Sequence, residues 1–231
     1  MKHGFCFFRK FNKTFDTYKC QNMIRLIQAE VWMKKKIIML MTALFVSVSA
    51  FGATIDEILA SFSKLQSYKA DFRQITEIEN FGKDEYVGRI YVINKYRALW
   101  DYSYPYRQYY LFTSDRVDYY DSEIRQLVRQ KNAEGNQNAI TRLMLDIGNI
   151  RNNFHVTLSG DNVLNLVPLS DIGVRYIKVE TDGSRITKVI SEDPTGNKTE
   201  VTFTNIQLNA DIDKKVFEPT VPSGTEVFEY N

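Results

Sequence analysis

The chain has 231 residues, of which 44% are hydrophobic and 25% charged, the balance of an ordinary globular protein. Its net charge of +2 is unevenly distributed, because residues 1–53 carry nine Lys and Arg but only two acidic residues. Residues 54–231 therefore hold 21 basic and 26 acidic residues. An acidic protein of this kind is a poor candidate for binding a phosphate backbone, so no nucleic-acid partner is expected.

Residues 33–53 are predicted to be a secretory signal peptide. Met33 is followed by three lysines, an apolar run (37–46) and a stretch of small residues, which is the pattern of a cleavable export signal. The apolar run is too short to form a stable membrane-spanning helix. Cleavage is expected after Ala50 or Gly52, which predicts an exported protein.

Residues 1–32 are interpreted as a mis-assigned translation start, with a functional extension as the alternative. They contain both cysteines, Cys6 and Cys20, so residues 54–231 contain none and no disulfide is expected there. No cysteine follows the signal either, and no lipid anchor is expected. The 178 residues of 54–231 can bury an adequate core as a single domain.

The first predicted element of this domain is an amphipathic helix. Thr54 and Glu57 have the spacing of a capping box, in which each side chain satisfies a free backbone N–H of the other. An apolar stripe follows at helical spacing, formed by Ile55, Ile58, Leu59, Phe62 and Leu65.

From Tyr68 onward the hydrophobic period changes to two, which predicts β-strands. The first six are "YKADFRQITEIE", "EYVGRIYVI", "YRALWDYSY", "RQYYLFTS", "RVDYYD" and "IRQLVRQ". The last five are "FHVTLSG", "VLNLVPL", "VRYIKVET", "RITKVISED" and "KTEVTFTNIQLN". Together they predict one long antiparallel sheet.

A second helix is predicted between the two groups of strands, in "AITRLMLDIGNI". Its apolar residues occupy positions i, i+3, i+4 and i+7, and they are Ile140, Leu143, Met144 and Ile147. Gly148 is predicted to end it.

Eight aromatic residues are crowded into "GRIYVINKYRALWDYSYPYRQYY" (88–110). On the strand within this stretch, alternation places one set of side chains on the same face: Tyr96, Ala98, Trp100, Tyr102 and Tyr104. A face of this kind usually packs into a core, but it can also line a cavity. The rings alone do not distinguish the two.

No catalytic or metal-binding pattern accompanies these rings. Residues 54–231 contain a single histidine, His155, on a predicted strand, and none of the usual hydrolase, metalloprotease or phosphate-loop motifs. Asp115, Asp118 and Asp121 recur at three-residue intervals, but they lack the glycine and the bidentate glutamate of a calcium loop. We therefore expect no enzymatic activity, no cofactor and no metal.

The order of these features resembles the LolA family, periplasmic carriers of outer-membrane lipoproteins. The resemblance runs from Thr54 to the C-terminus. It rests on a W-x-Y-x-x-P pattern at Trp100, Tyr102 and Pro105, on the turn Ser114-Asp115, and on F-x-P-x-x-P-x-G-x-x-V from Phe217 to Val227.

The resemblance implies an α+β fold, an unclosed antiparallel β-barrel (half-barrel) with an N-terminal helix and a helical lid insertion. It implies a monomeric periplasmic chaperone without a cofactor, whose cargo is the acyl chains of triacylated lipoproteins. An inner-membrane ABC transporter would supply the cargo, and an outer-membrane acceptor lipoprotein could receive it. The residues expected on this basis in cavity and lid are Tyr91, Ala98, Trp100, Tyr102, Ile140, Leu143, Met144 and Ile147.

One position departs from the family pattern. Ile93-Asn94-Lys95 stands where members commonly have Lys-Arg-Pro, and the arginine of the family is thought to fasten the lid. Asn94 is predicted to share the face of Trp100, where its amide could donate to carbonyl groups of the lid. Lys95 and Arg97 are predicted to point to the other face.

Two other functions remain open at this stage. One is a lipid-sensing envelope-stress regulator, or another hydrophobic-ligand binding protein, of the same fold. The other is an outer-membrane acceptor, which the missing lipidation cysteine opposes.

Overall fold

The computed structural model describes residues 54–131 and 138–230, so residues 1–32 and the signal peptide with its cleavage sites lie outside the described residues. The chain order is α1 (Ile55–Phe62), β1 (Ser67–Ile78), β2 (Gly82–Ile93), β3 (Arg97–Tyr104), β4 (Gln108–Phe112), β5 (Arg116–Asp121), β6 (Gln126–Lys131), α2 (Ala139–Leu145), a 3₁₀ helix (Ile147–Asn152), β7 (Phe154–Ser159), β8 (Val163–Pro168), β9 (Tyr176–Asp182), β10 (Arg185–Glu192), β11 (Lys198–Leu208), a 3₁₀ turn (Lys214–Phe217) and β12 (Glu226–Tyr230).

The strands form one sheet in the order β12-β6-β5-β4-β3-β2-β1-β11-β10-β9-β8-β7. Neighbouring strands are antiparallel except for β12 and β6, which pair in parallel. In the described part of the chain β12 and β7 are the two edges and do not pair with each other. The sheet is therefore an open barrel with a few helices, which confirms the predicted α+β fold class.

All eleven predicted strands are present, and the structure adds a twelfth, β12, that was not predicted. This strand is five residues long and every one of its side chains is exposed, so it shows no core-facing stripe. Its partner β6 lies about a hundred residues earlier in the chain, with Glu226 opposite Gln126. A pairing this distant leaves no local pattern in the sequence.

The helix α1 begins as predicted. The Thr54 backbone N–H donates to Glu57 Oε2 over 2.8 Å, and the Glu57 backbone N–H donates to Thr54 Oγ1 over 3.3 Å. These two bonds form the capping box. The buried face of the helix, with Ile58 and Phe62, packs into the main core.

The helix α2 is shorter than predicted, because it ends at Leu145 and Gly148 lies inside the following 3₁₀ helix. The non-helical backbone of Asp146 separates the two segments. Gly148 does not end the helix as predicted. It allows the backbone to pack closely against the end of α1, because a Cβ at this position would lie 2.9 Å from Ser63 Cα. No helix in the described ranges is both long and apolar enough to span a membrane.

The two faces of the sheet bury separate cores. On the concave face Phe72, Ile90 and Trp100 pack with both α-helices. On the convex face Leu99 packs with Tyr109, Leu127 and residues of the C-terminal segment, including Phe217. The alternation of β3 thus contributes side chains to both cores. Tyr96 and Tyr104 were predicted to share the face of Trp100. Tyr96 instead lies in the turn before the strand and is 68% exposed, and Tyr104 is 55% exposed at the end of the strand.

Candidate functional site

A cavity of about 400 Å³ lies on the concave face and is bounded by the sheet and the start of α2. Its lining is half apolar and half polar. The apolar residues are Ile78, Trp100, Tyr102, Tyr110, Ile140, Val174 and Val201, and the polar ones are Gln74, Thr76, Asn138, Ser191, Asp193, Asn197 and Thr199. Its volume is in the usual range of small-molecule sites.

Edge-to-face aromatic contacts hold the apolar wall in place. The Phe72 ring lies 5.0 Å from both Trp100 and Tyr102, and Tyr102 lies 6.1 Å from Tyr110. Gly88 makes this packing possible, because a Cβ there would lie 2.8 Å from the Phe72 ring and 2.3 Å from the Asp101 carbonyl oxygen. Rings fixed in this way present a preformed apolar surface.

A chain of hydrogen bonds leads from the aromatic wall to the polar part of the lining. The Tyr102 hydroxyl donates to Gln74 Oε1 over 3.2 Å, and Gln74 Nε2 donates to Thr76 Oγ1 over 3.1 Å. Burial raises the pKa of Tyr102 far above its usual value, so its phenol remains a proton donor at neutral pH. Sequence reasoning missed Gln74 and Thr76, because only the strand register brings them to this surface.

The predicted lid residues divide between two cavities. Ile140 lines the large cavity, whereas Met144 and Ile147 line a second cavity of about 10 Å³ next to Asn94. Leu143 is fully buried in the concave core together with the other three. The structure thus brings all four side chains to the concave face.

Asn94 does not contact the carbonyl groups of α2 in this structure. Its Nδ2 donates to the Leu65 carbonyl oxygen over 2.9 Å, and its buried Oδ1 has no hydrogen-bond partner among the described residues. Lys95 is the residue that reaches α2, although the sequence predicted that it points away. Its backbone N–H donates to the Leu145 carbonyl oxygen over 2.8 Å, and its Nζ lies 3.9 Å from Asp146 Oδ1.

The structure separates Tyr91 from the other expected site residues. Tyr91 pairs with Leu99 across β2 and β3, and it packs with Leu99 in the convex core. Ala98 is on the concave face with Trp100 and is fully buried in the core, but it does not line the cavity. Trp100 and Tyr102 are thus the predicted sheet residues that reach the cavity.

The structure offers no cluster of metal ligands in the part of the chain that it describes. Asp118 lies on the convex face, where its carboxylate is 3.1 Å from Arg116 Nε and 3.5 Å from Arg129 Nε. His155 is exposed on the edge strand β7. None of these side chains lines the large cavity.

The chain is similar to known carrier proteins along most of its length. The family model described as "Outer membrane lipoprotein carrier protein LolA" matches residues 63–220. Outer-membrane lipoprotein carrier proteins of Methylococcus capsulatus and Chromohalobacter salexigens are each 26% identical, over 71% and 74% of this chain and 82% and 85% of their own length.

A solved structure of a LolA superfamily protein from Nitrosomonas europaea superposes with a TM-score of 0.45 at 13% identity. The match covers 71% of this chain and 97% of the other. The family model alone covers well over half of the 231 residues. This chain belongs to the LolA family of outer-membrane lipoprotein carrier proteins.

Proposed function

We propose that this protein is a periplasmic carrier that binds the acyl chains of lipoproteins released from the inner membrane and delivers them to the outer membrane. The observation that supports this most directly is the cavity between the aromatic wall of the sheet and α2. Trp100, Tyr102 and Val201 offer alkyl chains a surface without charge. Binding and release of such chains need no reactive group, in keeping with a family of non-enzymatic carriers.

Four apolar side chains of α2 and the following 3₁₀ helix pack into the concave core, and there they would compete with the acyl chains of the cargo. Burying a large apolar side chain contributes roughly 1.5–3 kcal/mol, so Ile140, Leu143, Met144 and Ile147 together contribute on the order of 6–12 kcal/mol to the closed state. A sheltered 16-carbon chain gains roughly 12 kcal/mol at about 0.8 kcal/mol per CH₂. The free energy of burying these four side chains is thus similar to that of sheltering one acyl chain. An acyl chain that displaces α2 would exchange one set of apolar contacts for another, and binding would remain reversible.

Release from membranes tests the proposal directly. The exported protein is incubated with inner-membrane vesicles that contain a triacylated lipoprotein, its releasing transporter and ATP. We expect the lipoprotein to appear in the supernatant as a complex that co-purifies with the carrier. A cargo whose acylated cysteine is replaced by serine should not co-purify, and equal recovery of both cargoes would contradict the proposal.

Transfer of the lipoprotein to outer membranes distinguishes a carrier from a lipid-sensing regulator. Adding outer-membrane vesicles to the purified complex should transfer the cargo to those vesicles. A protein that takes up the lipoprotein but retains it in the presence of outer membranes would favour a sensing role over transport.

A further inference from the structure

Three hydroxyl side chains form a row across the concave face, and we call Thr76, Thr199 and Ser191 the hydroxyl row. Thr76 on β1 lies opposite Thr199 on β11, and Thr199 lies opposite Ser191 on β10. All three line the large cavity. Since neighbouring strands are about 4.8 Å apart, the three hydroxyl-bearing residues follow one another at intervals of about 5 Å across the cavity wall.

The row has unused hydrogen-bonding capacity that faces the cavity. Ser191 is only 7% exposed and has no side-chain hydrogen bond to a described residue. Thr76 Oγ1 accepts from Gln74, which itself accepts from the Tyr102 hydroxyl, so the hydroxyl proton of Thr76 remains available. Thr76 and Thr199 are half-buried and line the cavity, so these hydroxyls can bond to a ligand that enters it.

The register of the strands places the row at a boundary between apolar and polar surface. Two residues before Thr76 on the same face of β1, Gln74 lies opposite Val201. Two residues earlier still, Phe72 lies opposite Phe203. On the other side of the row the polar residues Asp193 and Asn197 end the lining, together with the partly exposed Ile78 at the end of β1. A ligand with an apolar tail and a polar head would therefore find its head at the hydroxyl row.

The charge of the lining selects a neutral head. None of the described residues that line the cavity is Lys, Arg or His. Its single carboxylate is Asp193, whose pKa is lowered by hydrogen bonds from Thr195 and Asn197, so it carries a negative charge at neutral pH. A fatty-acid carboxylate or a phosphate would be desolvated here without a cation to compensate.

We propose that the hydroxyl row binds the ester and amide carbonyl groups at the head of the acyl chains, and so selects neutral acyl linkages over free fatty acids. The proposal rests on the proposed carrier function, since it assumes that acyl chains enter this cavity. The alkyl chain would lie against Trp100 and Val201, and Thr76, Thr199 and Ser191 would donate to carbonyl oxygens at the point where the chain joins the glyceryl-cysteine.

Trp100 fluorescence provides the readout. The sequence has one other tryptophan, Trp32, so a Trp32→Phe background of the full chain reports the cavity alone. Binding of methyl laurate, N-methyl lauramide, tridecane and laurate at pH 8 is compared in this background and in a Thr76→Val, Thr199→Val, Ser191→Ala triple variant. Thr202→Val is the matched control, because Thr202 is on β11 but pairs with Arg73 and Lys188 on the convex face.

We expect the triple variant to lose affinity for the ester and the amide by about two- to tenfold for each hydroxyl engaged, while its affinity for tridecane stays unchanged. The control should bind all ligands as the background protein does. An equal change for tridecane and the ester, or tighter binding of laurate than of the ester, would overturn the proposal. If the triple variant does not fold, Ser191→Ala alone must lower the ester-to-alkane affinity ratio. Failure of the background protein to bind any of the four ligands would reject the carrier function itself.

Discussion

The backbone N–H of Lys95 donates to the carbonyl oxygen of Leu145 over 2.8 Å and so joins the β2–β3 turn to the last residue of α2. Lys95 has φ of +62°, the left-handed conformation, and this conformation places its N–H toward α2. Turns with a positive φ at this position favour Gly or Asn. The attachment of α2 to the sheet through this hydrogen bond therefore depends on the backbone of the turn more than on the side chain at position 94 or 95.

Two substitutions of Lys95 should separate the backbone tether from the ion pair with Asp146. Lys95→Gly keeps the left-handed backbone and the N–H, and an exposed ion pair contributes at most about 1 kcal/mol, so the free energy of unfolding should change by about 1 kcal/mol or less. Lys95→Val forces a β-branched residue into this conformation and should cost about 1–3 kcal/mol. Hydrogen exchange of the residue-95 amide should stay slow in Lys95→Gly and become fast in Lys95→Val. Fast exchange in Lys95→Gly as well would show that the ion pair holds α2, and slow exchange in both variants would show that the turn tolerates a β-branched residue.

Three glycines should differ in their tolerance of alanine. Gly88→Ala brings a Cβ against backbone atoms of Asp101 and Tyr102 and against the Phe72 ring, so we expect the largest loss, about 3 kcal/mol or more. In Gly148→Ala the new Cβ lies 2.9 Å from Ser63 Cα and in ordinary contact with the Phe62 carbonyl oxygen, so the cost should be about 1–3 kcal/mol. Gly160, at φ of +63° with open space around it, serves as the control, with a cost of about 1 kcal/mol from the backbone alone. Urea denaturation gives the three values, and a different order would contradict the close packing described for β2 and the 3₁₀ helix.

Alanine substitutions at two positions of α2 should affect stability and ligand binding to different extents. Leu143→Ala opens a void in a packed core and should lower the free energy of unfolding by about 2–5 kcal/mol. Ile140→Ala removes atoms that already border the 400 Å³ cavity, so its cost should be at the low end of that range. Ile140→Ala should also change the affinity for a twelve-carbon ester, whereas Leu143→Ala should change it little at temperatures where it stays folded. Urea denaturation and Trp100 fluorescence titration give the two quantities, and indistinguishable effects of the two variants would mean that Ile140 is an ordinary core residue.

Local patterns in the sequence were sufficient to predict most elements of the fold. The capping box of Thr54 and Glu57 depends on two side chains three residues apart, and both bonds are present. The alternation of β3 predicted that Ala98, Trp100 and Tyr102 share one face, and all three lie in the concave core. Signals of this kind are complete within one turn or one strand.

Features that depend on pairing between distant strands could not be predicted in the same way. The face of Tyr91 follows from its position opposite Leu99, which depends on the register of the β2–β3 hairpin. The hydroxyl row needs the registers of two strand pairs, because Ser191 and Thr199 come from the second half of the chain and Thr76 from the first. Lys95 reaches α2 through a backbone conformation that its side chain does not suggest.

Asp71 should make the stability of the central strands depend on pH. Its carboxylate accepts from Asn205 Nδ2 over 2.7 Å and from Arg89 Nε over 2.8 Å, and so connects β1 with β11 and β2. These hydrogen bonds, that from Asn205 first, lower the pKa of Asp71. A carboxyl whose pKa is lower in the folded state stabilises the fold above its unfolded pKa of about 3.9, and that contribution is lost as the pH falls through the folded pKa.

Substitution of Asp71 by asparagine tests whether the ionised carboxylate stabilises the fold. Substitution of Asn205 tests whether its hydrogen bond is a source of that stabilisation. Asp71→Asn should lower the free energy of unfolding at pH 7 by about 1 kcal/mol or less, because the group is partly exposed, and the difference from wild type should shrink below about pH 4. Asn205→Gly keeps the left-handed backbone of residue 205 (φ +51°) and removes only the amide donor, so it should reproduce part of the loss at pH 7. Urea denaturation at pH 7, 5 and 3 measures both variants. A difference between wild type and Asp71→Asn that grows toward pH 3 would mean that the ionised carboxylate destabilises the sheet, and the hydrogen bonds from Asn205 and Arg89 would then not compensate for its desolvation.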